Sequence, residues 1–403
     1  APQAISAHLT SGPRPRPCRM GRRARLLLQA WLLSFSHAAT LRLEAGPASA
    51  SLVKHGDLQI RSAPPQGYVD PSVVQAVYVA CGAESCHRGQ AAVRSFLAQA
   101  RLDGGEKPAL HLFLDEACAA RIESLQKQEP SLAEAAHFNT YIVSHLSKNQ
   151  VGLNLYKQCA SLRLSLPRLL PDLPKILYMD TDTLVAGSLR QLWKLDPYLW
   201  AFGENDVTWY SGAARCPADW RRHMPIPAPE KDRLKTCAFG GNGINSGVML
   251  LNQATWRRLN MENEVNDLIQ KLTHNGQDPK VLRMGDQDIL NMLAVAHDKD
   301  GYTMMLPCEM NSIFLNRYMC FYGSGQWQSF TKQHAVNPTN ASNLRRNSRQ
   351  PVVVHAKFNV NRAGLPCWVH LEQQLLAAVG AVSAGRAGGA GSLCEVAGGC
   401  DLE

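Results

Sequence analysis

Residues 73–80 are apolar except for Gln75, with no alternation of polar and apolar side chains. A strand of that kind must be covered on both faces, which restricts the chain to folds that enclose a sheet between layers. Cys81-Gly82 breaks the run, and a helical pattern follows with Ala91, Ala92, Val93, Phe96 and Leu97. The plan then recurs. Residues 110–114 form a second buried strand ending at Asp115-Glu116, residues 141–143 a third, and residues 176–179 run straight into Asp180. Residues 153–170 are apolar-periodic around Arg163, but Pro167 must bend or interrupt any helix there. Strands alternating with helices predict an α/β protein with a Rossmann-like, mostly parallel sheet and helices on both faces. Ligands in such sheets collect at the carboxyl ends of the strands, where Cys81-Gly82 and Asp180 fall.

A second block opens at Ile244-Asn245-Ser246-Gly247 with an apolar run over 248–251. Gly285-Asp286-Gln287-Asp288 then starts a helix with Ile289, Leu290, Met292, Leu293 and Ala296 on its buried side. Residues 352–354 are three valines and end at His355. These patterns predict a folded domain over 67–376. It follows a stem or linker rich in Ala, Ser, Gly and Pro over 44–66 and precedes a low-complexity mobile tail over 377–403.

The net charge of +9 suggests nucleic acid until it is located. Residues 1–62 hold nine Arg or Lys against two Asp or Glu, so the basic excess belongs to the N-terminus. The body of the chain gives no charge argument for nucleic acid. Within residues 1–43, Arg22, Arg23 and Arg25 precede an apolar run over 26–35 and then small residues. That is the plan of a secretory signal peptide, or of a short signal anchor if the run extends through Leu43. A basic amphipathic helix is the alternative. The leader predicts entry to the Golgi or endoplasmic reticulum lumen, as a soluble or type II membrane protein, with membrane contact only through the leader. Twelve cysteines without any C-x-x-C motif argue against a zinc knuckle and leave room for disulfides whose pairing is open. Asn340-Ala341-Ser342 is an N-glycosylation sequon.

The sharpest chemical feature is Asp180-Thr181-Asp182, two carboxylates one residue apart behind a buried strand. They can face one hard cation, with Mn²⁺ or Mg²⁺ suited to oxygen ligands. A divalent ion neutralises a departing diphosphate, as in transfer from a nucleotide sugar. The plain alternative is a turn that caps the next helix. His355 also ends a buried strand, and an imidazole third ligand favours Mn²⁺ over Mg²⁺. Asn245 and Asp286 read either as a turn amide and a helix cap or as cleft residues. Arg163 reads as a surface arginine or as a fixed cation for phosphate or sugar hydroxyls.

In order along residues 75–370, a set of segments resembles glycosyltransferase family 8, and within it the glucoside xylosyltransferases. These are Val79-Ala80-Cys81-Gly82; Leu155-Tyr156-Lys157-Gln158-Cys159-Ala160 with Arg163-Leu164; Ile176-Leu177-Tyr178-Met179-Asp180-Thr181-Asp182; and Trp209-Tyr210 with Ala214-Arg215 and Pro217. The set continues with Gly243-Ile244-Asn245-Ser246-Gly247-Val248-Met249-Leu250-Leu251-Asn252, Gly285-Asp286-Gln287-Asp288-Ile289-Leu290-Asn291, Pro307-Cys308 with Asn311, and Cys320 with Tyr322-Gly323-Ser324, before His355.

The resemblance implies a GT-A fold and a retaining transferase. It implies that Asp180, Asp182 and His355 bind Mn²⁺ and the donor diphosphate. It places Arg163, Asn245, Ser246, Asp286 and Gln287 around the donor sugar, with Gln287 beneath the anomeric carbon, and Cys81 and Gly82 near the nucleoside. The implied donor is UDP-xylose and the implied acceptor a glucose on a protein, linked α-1,3. Cys308 and Cys320 are expected to pair on the same ground. In one place the chain departs from the pattern. The family follows its histidine with a glycine and then a Lys-Pro pair that holds the diphosphate. Here His355 leads into Ala356-Lys357-Phe358, with Arg362 further on, and no Lys-Pro pair occurs. Lys357 or Arg362 is expected to take that contact. The segment 211–243 is also longer than usual, where the acceptor should approach. The competing readings are a catalytically weak nucleotide-sugar-binding protein of the same fold, a family-8 transferase using UDP-glucose or UDP-galactose, and a metal-dependent phosphohydrolase.

Overall fold

The computed structural model describes residues 51–55, 58–62, 70–144, 158–204, 218–231, 237, 239, 243–274, 281–282, 284–313, 352–355, 366–386 and 392–396. The runs without polar alternation become strands buried along almost their whole length: β3 (Gln75–Ala80), β4 (Ala109–Leu114), β6 (Lys175–Met179) and β9 (Ile244–Asn252). With β1 (Ser51–His55), β2 (Leu58–Ser62), β5 (His137–Ser144), β8 (Trp200–Glu204) and β10 (Thr303–Met305) they form one sheet of order β1-β2-β5-β4-β3-β6-β9-β8-β10. β5, β4, β3 and β6 run parallel, and β8 pairs in parallel with β10. β9 is inserted antiparallel between β6 and β8.

Both faces are covered because side chains alternate across each strand. On β3, Ala76, Tyr78 and Ala80 enter one core with Phe96 and Leu97 of α1 (Ala83–Asp103). Val77 and Val79 enter the other, with Trp256 of α3 (Gln253–Arg258), Leu268 of α4 (Met261–Leu272) and Leu290 of α5 (Asp286–Ala296). α2 (Glu116–Gln128) packs beside α1, its start capped by the Asp115 side chain. Pro167 acts as expected: residues 158–169 form three short helical turns in place of one helix. This is the α/β architecture expected from the sequence, a mostly parallel sheet between two helical layers.

Three placements differ from the sequence reading. β1 and β2 lie inside the stretch read as stem, and they extend the sheet beyond β5. α6 (Pro366–Ser383) runs across the expected boundary at residue 376. Its Leu375, Ala378, Val379 and Val382 are buried against the α1 side of the sheet, because this Ala-rich stretch is an apolar helix face and not a solvated repeat. Leu393 is buried there too, its N–H donating to Gln99 Oε1 at 3.0 Å. Third, Asn245 and Ser246 do not form a turn ahead of the apolar run but are already part of β9. β9 runs against β6, so its first residues abut the end of β6, with Met179 opposite Val248. Among the described residues no helix is long and apolar enough to cross a membrane, and the N-terminal leader lies outside them.

Candidate active site

The Asp180–Asp182 turn is fixed from three sides. Asp180 N–H donates to Gly247 O across the β6–β9 junction at 2.8 Å, and the Thr183 hydroxyl donates back to Asp180 O at 2.7 Å. The Tyr178 hydroxyl donates to Asp180 Oδ1 at 2.6 Å. Residues two apart on a strand share a face, so the tyrosine before the carboxylate is placed to orient it. Burial pushes the Tyr178 phenol well above its ordinary range, keeping it a donor.

His355 arrives by a route that a single parallel sheet does not supply. It ends β12 (Val353–His355), which belongs to a second, three-stranded sheet with β7 (Thr183–Val185) and β11 (Ser312–Ile313). β7 starts directly after Asp182 and pairs antiparallel with β12, with His355 opposite Thr183. Cross-strand register, and not convergence of carboxyl ends, brings the imidazole to the aspartates. His355 Nε2 lies 3.2 Å from Asp182 Oδ1, and one ligand atom from each of Asp180, Asp182 and His355 falls within 4.8 Å of the others.

A chain of hydrogen bonds sets which imidazole nitrogen faces the cluster. Gly247 N–H donates to Asn245 Oδ1 at 2.9 Å, and Asn311 Nδ2 donates to the same oxygen at 3.1 Å. Asn311 Oδ1 is thereby left to accept from His355 Nδ1 at 3.1 Å. With Nδ1 protonated, Nε2 points a lone pair at the Asp182 carboxylate. Two acceptors facing each other need a proton or a cation between them. When a proton fills that place His355 is charged: burial would raise the Asp182 carboxyl, but the charge and hydrogen bond of the protonated His355, aided by Arg88, hold it below the usual range. Two carboxylates and an imidazole oriented through its second nitrogen are a donor set that fits a divalent ion. Asn245 therefore acts here through Asn311, and Asn311 is a site residue that the sequence reading left without a role. Another trio, Cys86, Asp115 and Cys118, is also close enough for a metal, but its two sulfurs are joined as a disulfide.

Beneath the turn, Arg163 is buried and committed to protein partners. Its Nη1 donates to Ser246 O and Oγ at 2.8 and 2.9 Å, and Nε donates to Ala160 O at 3.1 Å. The guanidinium pairs with Asp286, lies 3.5 Å from Asp180 Oδ1, and stacks over the Tyr178 ring. Burial works against its charge, yet Asp180 and Asp286 drive its pKa further up. Burial pushes the Asp286 carboxyl up to about 6, with Arg163 opposing. Gln287 accepts from Ser246 N and Oγ at 3.3 and 3.2 Å, while its Nε2 is buried and has no hydrogen-bond partner. Asn291 Oδ1 accepts from Ile244 N at 2.8 Å and ties α5 to the start of β9.

Of these groups Arg163, Tyr178, Asp180 and Asp182 line a cleft of about 730 Å³, within the range of small-ligand sites. Cys81 and Gly82 line it. Cys81 is bonded to Cys159 with a Cα–Cα distance of 6.1 Å, tethering the segment that carries Arg163 to the end of β3. A second disulfide joins Cys86 to Cys118, and Asp115 between these elements accepts from Gly82 N at 2.6 Å. The structure thus gathers Cys81, Gly82, Arg163, Asp180, Asp182, Asn245, Ser246, Asp286, Gln287 and His355 in one region. Lys357, Arg362, Cys320, the sequon and about half of 211–243 lie outside the described residues.

A family model described as glycosyl transferase family 8 matches residues 91–355, well over half of the chain. The chain belongs to glycosyl transferase family 8. Family membership identifies it as a glycosyltransferase. Mouse (Mus musculus) glucoside xylosyltransferase 2 is 27% identical over 246 residues, covering 57% of this chain and 49% of that protein. Chicken (Gallus gallus) glucoside xylosyltransferase 1 is 30% identical over 190 residues, covering 42% and 37%. Among solved structures, apo mouse xyloside xylosyltransferase 1 aligns over 72% of this chain and 99% of its own, with 17% identity and a TM-score of 0.44. The chain thus spans about half the length of the curated relatives it matches.

Proposed function

We propose that this family-8 glycosyltransferase moves xylose from UDP-α-D-xylose to a glucoside, with retention, forming the α-1,3 linkage to an O-linked glucose on a protein of the secretory pathway. The leader read in residues 1–43 would route it there. The donor and acceptor assignment is supported by the glucoside xylosyltransferases among its relatives. The observation that carries the reading is the Asp180–Asp182–His355 cluster, whose imidazole lone pair is turned toward a carboxylate at the mouth of a nucleotide-sized cleft.

Asp180, Asp182 and His355 would hold Mn²⁺, with Mg²⁺ as the alternative. When bound, the ion neutralises charge on the departing diphosphate. The chain's own groups do the rest. Tyr178 and Arg163 hold Asp180 in place. Gln287 offers Nε2 as a donor to the transferring sugar, and an amide is too poor a nucleophile to form a stable covalent intermediate. Retention then follows from attack on the face that the diphosphate leaves, with the leaving oxygen taking the acceptor's proton. Asp286 keeps Arg163 and Ser246 fixed around that sugar, and Cys81 and Gly82 border the nucleoside. Lys357 and Arg362 are candidates for the diphosphate contact that the absent Lys-Pro pair leaves open.

The test is purified protein with Mn²⁺ and, in turn, UDP-xylose, UDP-glucose and UDP-galactose, with and without a β-glucoside. Xylose transfer with an α-linked product is expected, and Asp182→Asn should abolish it while leaving the melting temperature unchanged. A different preferred sugar would overturn the xylosyl assignment. Absence of turnover with every nucleotide sugar would favour the binding-protein reading, and hydrolysis of simple phosphate esters would favour the phosphohydrolase.

A further inference from the structure

The cleft carries more negative than positive charge. Among the described residues lining it, Glu84, Asp115, Asp180 and Asp182 are acidic, and Arg88 and Arg163 are the strong bases. A nucleoside diphosphate entering beside those carboxylates needs compensating cations. Arg163 is poorly placed to answer, since its guanidinium is buried among Ser246, Asp180, Asp286 and Ala160.

Arg88 is differently situated. It lies on the second turn of α1, on a face packed against the metal-binding turn: Ser85 Oγ is 3.2 Å from Thr181 Oγ1, and a Cβ at Gly89 would sit 3.4 Å from the Thr181 side chain. Arg88, adjacent to Gly89, thereby lines the cleft together with Asp180 and Asp182. The guanidinium pairs with Glu84, one helical turn earlier, and the Glu84 side chain is 78% exposed. An exposed carboxylate of this kind contributes little to stability and is readily displaced. A phosphate offers two acceptor oxygens to the planar guanidinium fork at higher charge.

We propose that Arg88 is a donor-binding residue that takes the diphosphate of the nucleotide sugar, with Glu84 as the acid it releases on binding. The proposal rests on the glycosyltransferase reading of the cleft. It assigns part of the cationic work of the missing Lys-Pro pair to α1, a helix fixed by the sheet. No bond forms or breaks in this step: a carboxylate–guanidinium pair is exchanged for a phosphate–guanidinium pair.

The test is calorimetric binding of uridine and of UDP, each with Mn²⁺, to the full chain. In Arg88→Gln, UDP affinity is expected to fall about ten- to a hundredfold, the span of a lost charge-assisted contact, while uridine affinity holds. Arg88→Lys should recover part of the loss. Glu84→Gln leaves Arg88 in place and removes its competitor, so it should raise UDP affinity a few-fold. Melting temperatures without ligand should match wild type throughout. UDP binding by Arg88→Gln within twofold of wild type, equal losses for uridine and UDP, or weaker UDP binding by Glu84→Gln would overturn the assignment of Arg88 alone. Failure of the wild-type protein to bind UDP would overturn the glycosyltransferase reading and this proposal together.

Discussion

Gly247 offers a way to displace His355, the proposed third metal ligand, without substituting it. The residue sits in β9 with an ordinary backbone conformation, and its carbonyl accepts from Asp180 N. A Cβ there would stand 2.7 Å from His355 Nδ1 and 2.8 Å from Nε2, with Cε1 nearer still. Carbon contacts settle near 3.5–4.0 Å, so in Gly247→Ala the ring must retreat by roughly 1.5 Å or more. Metal–ligand distances tolerate about 0.2 Å, so Nε2 would leave the coordination shell. Disturbing the support of a ligand costs about ten- to a hundredfold in metal affinity, which is about 1.4–2.8 kcal/mol. The overpacking itself should lower folding stability by about 1–3 kcal/mol. The assay is Mn²⁺ titration by calorimetry, with melting temperatures measured in chelator. Gly247→Ala/His355→Ala is the control: with the ring gone the clash disappears, so the double variant should regain stability relative to Gly247→Ala. Mn²⁺ binding by Gly247→Ala within threefold of wild type, or stability losses that simply add, would refute the argument.

Two further outcomes follow from the fold. His111 is buried between Gln75 Oε1 at 2.8 Å and the Tyr141 hydroxyl at 3.3 Å, and burial lowers its pKa from 6.5 to about 4. The unfolded chain binds a proton below 6.5 and the folded chain only below about 4, so stability should fall as pH drops through that window, by about 3 kcal/mol in total from this group; His111→Gln should flatten the dependence in denaturant melts from pH 7 to pH 4, and an unchanged slope would refute the assignment. The Cys81–Cys159 bridge closes a loop with a sequence separation of 78, for which chain entropy allows about 4 kcal/mol of stabilisation; the double Ser variant should melt lower and bind UDP more weakly, since the Arg163 segment loses its tether, and unchanged melting would show that the bridge does not hold that segment.

Much of this was visible in the residues, for stated reasons. Strands without polar alternation at β3, β4, β6 and β9 dictate a doubly covered sheet, and Pro167 dictates the break ahead of β6. The D-x-D turn is a local pattern, so its position after a buried strand could be read directly. What escaped was set by register. Nothing local marks β9 as antiparallel, because a strand buried on both faces reads alike in either direction. His355 meets Asp182 through pairing with Thr183 in a small sheet of very short strands, too short for periodicity to reveal. The Cys81–Cys159 and Cys86–Cys118 bridges depend on which strand ends are neighbours, and spacing alone does not state that. Asn311 belonged to a recognised segment, but its role comes from orienting one imidazole. Gly247 was its nearest sequence signal: a glycine inside a buried strand marks a close approach, here of His355.

Asp286 and Gln287 stand side by side at the start of α5, and activity alone would not separate their roles. Arg163 is a buried charge balanced by Asp286 and, at longer range, by Asp180. Asp286→Asn therefore leaves a buried guanidinium short of a counter-charge, a change that costs about 3–5 kcal/mol in comparable pairs. Inactivity of that variant would report a disordered Arg163–Ser246 wall as readily as a lost contact to the sugar. Gln287 carries the opposite signature. Its Oε1 makes two long hydrogen bonds to Ser246, and its buried Nε2 makes none. Gln287→Met removes both functions at nearly constant shape and should cost only about 1 kcal/mol of stability. If Nε2 serves the transferring sugar as charge develops, kcat should fall about a hundredfold or more, with the melting temperature nearly kept. For Asp286→Asn the loss of activity should instead track the loss of stability, and lower temperature should restore part of both. A Gln287→Met enzyme with wild-type kcat would remove Gln287 from the chemistry and leave its unpaired amide a structural cost without a function.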